Sequence, residues 1–266
     1  MYRNNLYNKN SSKKYNKIIV PLVIVIIFTT ILIVYNKNRY TPYYPKNDVK
    51  IYLYGENHGD DKILKKEYEI WKDFYDNEGM RHLFVEIPYY SAQYLNIWMK
   101  AEDDKILMEL YEDTDGTLTH VLEVLEFYKS IKKNCPETIF HGTDVGHQYE
   151  TTGERYLNNL ESIGAVDSKE YKLAQKNIEQ GKQYYQDENE VYRENAMTRN
   201  FIYEYDKISE VNIMGIYGDA HTDPRNQNFT KEVDSMAKQL KTYYGDVIQY
   251  ESIIEIVKWW YFGNSS

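Results

Sequence analysis

Two short segments of the chain place acids and histidines directly behind apolar, strand-like runs. The first, "IYLYGENHGDD" (51–61), stops at a glycine and then presents Glu56, Asn57 and His58. The second, "IMGIYGDAHTD" (213–223), repeats the order of apolar run, glycine, acid, one further residue and histidine. A solvent-exposed turn requires glycine but no histidine. Carboxylates and imidazoles serve in proteins as general acids and bases and as metal ligands, so the pattern indicates a chemical site.

Other polar groups follow the remaining strand-like runs. Glu86 ends "LFVE", Asp144 ends "IFHGTD", and His147 lies just beyond. In open parallel sheets, ligands bind outside the carboxyl ends of the strands. We therefore predict one pocket whose main residues lie within about 10 Å of each other, because a shared site needs groups near one reacting atom. Its predicted catalytic members are Glu56, His58, Glu86, Arg193 and His221, and its predicted substrate-binding members are Asn57, Asp144, His147, Asn200 and Asp219.

Structural roles are the alternative for several of these residues. A lone histidine after a strand can simply tie loops together, and Asp144 can cap the turn that follows it. A buried Glu86 is costly unless it is paired with a cation or a metal. The three other histidines, which lie within or before strands or on a helix, are interpreted as structural: His82, His120 and His141.

The segment "VYRENAMTRNF" (191–201) is predicted to be helical. Arg193, Met197 and Asn200 then share one face, because residues three and four apart are neighbours on a helix. The arginine can bridge to an acid at the sheet edge. It can also orient a catalytic carboxylate or stabilise developing negative charge. The two roles are compatible.

Apolar runs alternate with amphipathic stretches along the chain, which predicts an α/β domain with a mostly parallel sheet flanked by helices on both faces. The runs are nearly continuous, as in strands that are buried on both faces. Residues 150–209 are mostly helical and exceed one crossover helix, so they predict a helical insertion or lid. The predicted strands are 49–54, 82–87, 137–144, 211–217 and 247–251, with a helix at about 229–244 before the last.

The first 48 residues differ from the rest. Residues 1–17 are basic and contain no acid, residues 18–34 are apolar and uncharged, and residues 35–48 predict a linker. Seventeen apolar residues are at the short limit for a bilayer span. A cleaved secretory signal is the competing interpretation, but its small-residue cleavage site is missing. We predict an uncleaved transmembrane anchor in a bacterial cell membrane, with the basic end cytoplasmic and residues 49–266 an extracellular domain.

The part of the chain after residue 39 is acidic. It holds 25 Lys and Arg against 41 Asp and Glu, a formal charge of −16. Nucleic acid is therefore disfavoured as a partner, since phosphate binding requires basic side chains. The single cysteine, Cys135, excludes an intrachain disulfide, and a lone cysteine is usually a small buried hydrophobe.

The motifs "GENHG", "FVEI", "FHGTDVG", "RENAMTRN" and "GDAH", in this order, resemble the superfamily of erythromycin esterases, haem-binding ChaN-type proteins and Tiki/TraB-type metalloproteases. The resemblance runs from about residue 49 to 222. It implies that His58, Glu86 and His221 are catalytic or bind a metal, with Glu56 and Arg193 supporting them. The membrane segment and the long acidic helical stretch depart from the pattern, so the substrate does not carry over.

These observations predict a membrane-anchored extracellular hydrolase that acts on a small-molecule or peptide substrate. Two mechanisms stay open. In one, His58, Glu86 and His221 hold a divalent metal with a water position free. In the other, His58 is a general base oriented by a carboxylate. A haem-binding ChaN-like protein and a non-catalytic surface adaptor are the alternatives from other functional classes.

Overall fold

The computed structural model describes residues 49–208 and 210–262. Five parallel strands form a single sheet in the spatial order β3-β2-β4-β1-β5. Each strand lies within two residues of its predicted position. The strands are β1 (Ile51–Glu56), β2 (His82–Pro88), β3 (Ile139–Asp144), β4 (Ile213–Gly218) and β5 (Ile248–Ser252).

Helices connect these strands. In chain order they are α1 (Asp61–Asn77), α2 (Tyr89–Trp98), α3 (Lys105–Glu112), α4 (Leu122–Asn134), α5 (Glu154–Ser162), α6 (Lys169–Asp187), α7 (Glu190–Asp206), α8 (Asp219–Thr222), α9 (Met236–Tyr244) and α10 (Ile253–Phe262). Asp60 caps α1, since its side chain accepts hydrogen bonds from the backbone amides of Lys62 and Ile63. This cap lets the helix begin three residues after His58.

Both faces of the sheet are covered, as the sequence predicts. Alternate residues of β1 point to opposite sides, so Leu53 packs in one core and Tyr54 in the other. On the Tyr54 side, the core includes buried residues of α1, α2, α3, α4 and α10. On the Leu53 side, it is closed by α7 and α9. The α/β class with a parallel sheet is therefore confirmed for the described residues.

The long helical stretch divides into two parts. Helix α7 is an ordinary layer helix, because Met197 and Phe201 pack in the core on the Leu53 side of the sheet. A π-helical turn at Tyr149–Gly153, α5 and α6 form a separate cluster with the tyrosines of α2, including Tyr90. The helical insertion is therefore shorter than the predicted residues 150–209, because it ends with α6.

Two helices differ from the prediction. The helix before the last strand begins at Met236 rather than near 229, and neither the short helix α8 nor α10 was predicted. The basic segment, the predicted anchor and the linker lie outside the described residues. Within residues 49–208 and 210–262, no helix combines the length and apolar character that a bilayer crossing requires.

Candidate active site

The sheet order brings four strand ends side by side. β4 lies between β1 and β2, and β3 lies beyond β2. The ends of β1 and β4 supply His58 and His221, while those of β2 and β3 supply Glu86 and Asp144. Residues that are up to 163 positions apart in the sequence therefore meet at one edge.

Glu56 holds His58 from behind. The Nδ1 atom of His58 lies 2.6 Å from Oε1 of Glu56, and the Nε2 atom faces Oε1 of Glu86 at 3.8 Å. Because a carboxylate accepts only, Nδ1 carries the proton of a neutral imidazole, and Nε2 keeps its lone pair. His58 is thus oriented as a base whose free nitrogen points toward Glu86.

His221 has the same arrangement with a different acid. Its Nδ1 lies 2.6 Å from Oε2 of Glu194, and its Nε2 lies 3.6 Å from Oε1 of Glu86. Glu194 is 1% exposed and also accepts a hydrogen bond from the backbone amide of Met236 at the start of α9. The two imidazoles therefore present their Nε2 atoms to one oxygen of Glu86.

Glu86 is the centre of the cluster. Besides the two imidazoles, its Oε1 lies 2.6 Å from Nη2 of Arg193, and its Oε2 accepts a hydrogen bond of 2.6 Å from the amide of Gly218. Its side chain is only 6% exposed. Both carboxylate oxygens therefore have donors, which offsets the cost of burying the charge.

Charge pairing controls protonation in the cluster. The hydrogen bond that Nδ1 of His58 donates to Glu56 raises the pKa of His58 to about 9. Burial alone would lower the pKa of His221, but the charges of Glu86 and Glu194 outweigh it and raise that pKa. Burial would raise the pKa of Glu86, yet His221, Arg193 and His58 together lower it. His58 is therefore mainly protonated at neutral pH and becomes a free base as the pH approaches 9, while Glu86 is an anion.

Arg193 links this cluster to a second chain of hydrogen bonds. Its guanidinium also binds Asp144, with Nε at 3.1 Å and Nη2 at 2.6 Å. Asp144 in turn lies 2.9 Å from Nε2 of His147, whose Nδ1 lies 2.5 Å from the hydroxyl of Tyr185 on α6. Arg193 therefore fulfils the bridging role considered from the sequence, and it contacts two sheet-edge acids at once.

A cavity of about 820 Å³ opens onto these groups. Its polar floor includes all five predicted catalytic residues together with Asn57, Asp144, His147 and Asp219. The rest of its lining is largely apolar and comes from α2, α3, α4 and the segment between the last two, including Leu95, Leu107, Leu118 and Phe127. A substrate with a sizeable apolar body fits such a wall.

Asn200 is the exception. It lies outside this cavity, and its amide donates to the carbonyl of Thr143 and exchanges hydrogen bonds with Gln180. It ties the end of β3 to α6. A contact between Asn200 and substrate, as predicted from its helix face, has no support in this placement.

Two glycines near His58 have different functions. Gly59 has a φ of +75° and makes the turn before α1. Gly55 lies inside β1 instead, where a Cβ atom would approach Oδ1 of Asp219 to 2.3 Å. Because Gly55 has no side chain, α8 can pack closely against β1 at this position.

The sequence analysis missed Glu194 and Tyr185. Glu194 lies three residues before Met197 and seven before Phe201, on the buried stripe of α7. A charged residue inside an apolar helical stripe is a recognisable signal. Tyr185 had no comparable signal, because the chain contains 29 tyrosines and its partner is 38 positions away.

The arrangement does not fit the predicted metal centre. Carboxylate partners on both Nδ1 atoms resemble the surroundings of metal-bound histidines. However, the oxygen of Glu86 that faces both Nε2 atoms already contacts the guanidinium of Arg193, whose positive charge would repel a divalent cation. In the described part of the chain, no group of three or more His, Cys, Asp or Glu has a geometry that could hold a metal ion.

Comparisons with known proteins identify two solved structures with a similar fold. No family model matches the chain, and no curated protein matches it. Two solved structures do. A protein from Bacillus cereus is 14% identical with a TM-score of 0.53, and a mutant of the erythromycin esterase EreC in its open conformation is 10% identical with a TM-score of 0.56. The chain shares its fold with both.

Each match covers 77% of this chain. The chain spans 66% of the Bacillus cereus protein, just under two thirds, and 70% of the esterase. The fold expected from the motif resemblance is therefore confirmed. At these identities the likeness concerns the fold, and the chemistry must be argued from the side chains of this chain.

Proposed function

We propose that this protein is a hydrolase that cleaves carboxylic esters or lactones with His58 as the general base. The observation that carries the proposal is the orientation of His58, whose Nδ1 is held by Glu56 while its Nε2 faces the cavity. The 3.8 Å between Nε2 and Oε1 of Glu86 is too long for a direct hydrogen bond. A water molecule between them would be held by both groups.

In the proposed reaction, one proton moves from water to His58 and then from His58 to the leaving group. The neutral imidazole of His58 takes a proton from this water as the water oxygen bonds to the substrate carbonyl carbon. The carbonyl oxygen becomes negative, and the guanidinium of Arg193 and the imidazole of His221 lie beside Glu86, where they would stabilise that charge. When the carbon–oxygen ester bond breaks, the leaving alkoxide takes the proton from His58.

The cavity supports the substrate class. Its polar floor and apolar wall suit a molecule whose hydrolysable bond is attached to an apolar body. The net charge of −16 on residues 40–266 favours neutral over polyanionic substrates. We also propose that residues 18–34 anchor the protein, with this domain outside the cell.

The test uses the purified full-length chain with a panel of p-nitrophenyl acyl esters and aromatic lactones. We expect turnover that increases with acyl size, and its loss in His58→Ala. His82→Gln is the matched control, because His82 lies at the opposite end of β2 and should leave turnover unchanged. An intense visible absorption band on haem addition without ester turnover would favour the haem-binding alternative. The absence of both the absorption band and the turnover would favour an adaptor.

A further inference from the structure

A second glutamate stands behind Glu56. Glu67 lies on α1 and is 2% exposed. It lines the cavity together with Glu56 and His58, and its carboxyl group interacts with that of Glu56, which in turn accepts a hydrogen bond from Nδ1 of His58. Its other oxygen, Oε1, is buried without a hydrogen-bond partner in the protein.

This placement is costly for the fold. Glu67 occupies the buried face of α1 beside Leu64 and Trp71, where an apolar side chain would avoid the desolvation of a carboxyl group. Buried polar atoms without partners are rare in native proteins and call for a specific explanation. The contact with Glu56 is the feature of Glu67 that connects it to the proposed chemistry.

The pair must hold a proton between its oxygens, because two carboxylates accept hydrogen bonds and cannot donate them. Burial, followed by the charge of Glu56, raises the pKa of Glu67 well above its usual range. Glu56 instead has His58 as a cationic neighbour. Because Glu56 already accepts the hydrogen bond from Nδ1 of His58, we place the shared proton on Glu67.

The other imidazole shows the equivalent support in a different form. Glu194, which holds His221, is itself held by the backbone amide of Met236. Glu56 ends β1, where the chain turns into the His58 loop. Glu67 gives Glu56 the donor that a helix amide gives Glu194.

We propose that Glu67 is a positioning residue, a neutral carboxylic acid that donates to Glu56 and thereby keeps Glu56 aligned with Nδ1 of His58. The inference deepens the proposed function, since it concerns the orientation of the same base. Glu67 acts through Glu56 and does not contact the reacting atoms. Its replacement should therefore change the state of His58 without removing the cavity.

The test measures the Nδ1–H proton of His58 by NMR in the full-length chain. A proton in a short imidazole–carboxylate hydrogen bond resonates far downfield and exchanges slowly, and its absence in His58→Ala assigns it. Glu67→Gln and Glu67→Met have similar side-chain lengths, but only glutamine can donate to Glu56. We expect the downfield signal to persist in Glu67→Gln and to shift upfield or broaden in Glu67→Met.

Thermal unfolding accompanies each spectrum. We expect Glu67→Met to melt at or above the wild-type temperature, because it removes a buried polar group. An unchanged His58 signal in Glu67→Met would overturn the proposal, and so would unfolding of that variant, since Glu67 would then serve the fold. These results need no substrate and do not depend on whether ester cleavage is found.

Turnover adds a second, separate measurement. If the wild type cleaves an ester, kcat should fall about tenfold or more in Glu67→Met with little change in KM, and Glu67→Gln should restore it. A loss confined to KM would contradict a positioning role. Absence of turnover in the wild type would sink the proposed function alone, because the NMR result for Glu67 would still stand.

Discussion

Nδ1 of His221 lies 2.6 Å from Oε2 of Glu194, so a helix residue of α7 holds a side chain that β4 delivers to the site. The neighbouring residue of the same helix, Arg193, reaches Glu86. Two consecutive residues of α7 therefore hold the anionic centre and one of its imidazoles. This relationship makes α7 part of the candidate site and not only a cover for the sheet.

Removing Glu194 should affect both stability and protonation. We expect Glu194→Ala to lower the free energy of unfolding at pH 7 by about 3–5 kcal/mol, because it leaves the buried imidazole of His221 with one hydrogen-bond partner fewer. Urea unfolding measures this loss. Glu194→Gln should lose less, since its side-chain oxygen can still accept from Nδ1. Equal stability of all three proteins would show that the contact contributes nothing to folding.

Glu86 should be the residue whose replacement is most damaging. Its loss leaves Arg193 and two imidazoles without their shared anion, so Glu86→Ala should abolish turnover and lower stability by about 3–5 kcal/mol. Activity assays and calorimetry test this together. His58→Ala is the comparison, because that side chain is 30% exposed and should lose activity alone. Unfolding of His58→Ala would favour a purely structural role for the imidazole.

The pH dependence of turnover follows from the protonation of His58. Its raised pKa of about 9 means that the neutral base is scarce at pH 7, so kcat/KM should rise with pH until it passes about 9. Glu56→Gln removes the carboxylate whose hydrogen bond raises the pKa of His58, so it should shift this rise to lower pH while reducing the maximum rate. The contribution of His58 to the free energy of unfolding should decrease as pH rises. Because the folded pKa exceeds the unfolded value, the stabilisation from His58 is complete below about 6.5 and is lost as pH rises through about 9. A pH-independent rate would contradict the proposed base.

A histidine pair outside the site should control acid stability. Nδ1 of His82 lies 2.9 Å from Nε2 of His141. Burial and then the nearby His141 lower the pKa of His82 to about 4. Since the unfolded chain binds this proton more readily, stability should fall as pH drops from about 6.5 through about 4. His82→Gln should reduce this loss. Urea titrations at pH 7 and pH 4.5 measure it, and an identical pH response in the variant would exclude the pair as the cause.

The orientation in the membrane stays a prediction. Residues 1–17 carry five basic residues against two after the apolar segment, at Lys37 and Arg39, which favours a cytoplasmic amino terminus. Protease added to intact cells should therefore release the domain that contains residues 49–266. Protection of the domain in intact cells, with digestion after lysis, would overturn the extracellular location.

Much of the fold was predictable because strands buried on both faces leave a strong local signal. All five strands were expected within two residues of their observed ends, and the rule that parallel strands present their carboxyl ends to one edge brought Glu56, His58, Glu86 and His221 together. The short helix ends were less predictable. Helix α10 was missed because its residues read as apolar without a clear break after β5.

The sequence by itself determined which residue types reach the sheet edge, since the alternation of strands and helices dictates where each strand ends. Only the tertiary structure decided their partners. The placement of β4 between β1 and β2 makes Glu86 the shared neighbour of both imidazoles, and the packing of α7 adds Arg193 and Glu194. Those contacts join residues 27 to 135 positions apart. No local pattern encodes such distances, because they depend on strand order and helix packing across the whole sheet.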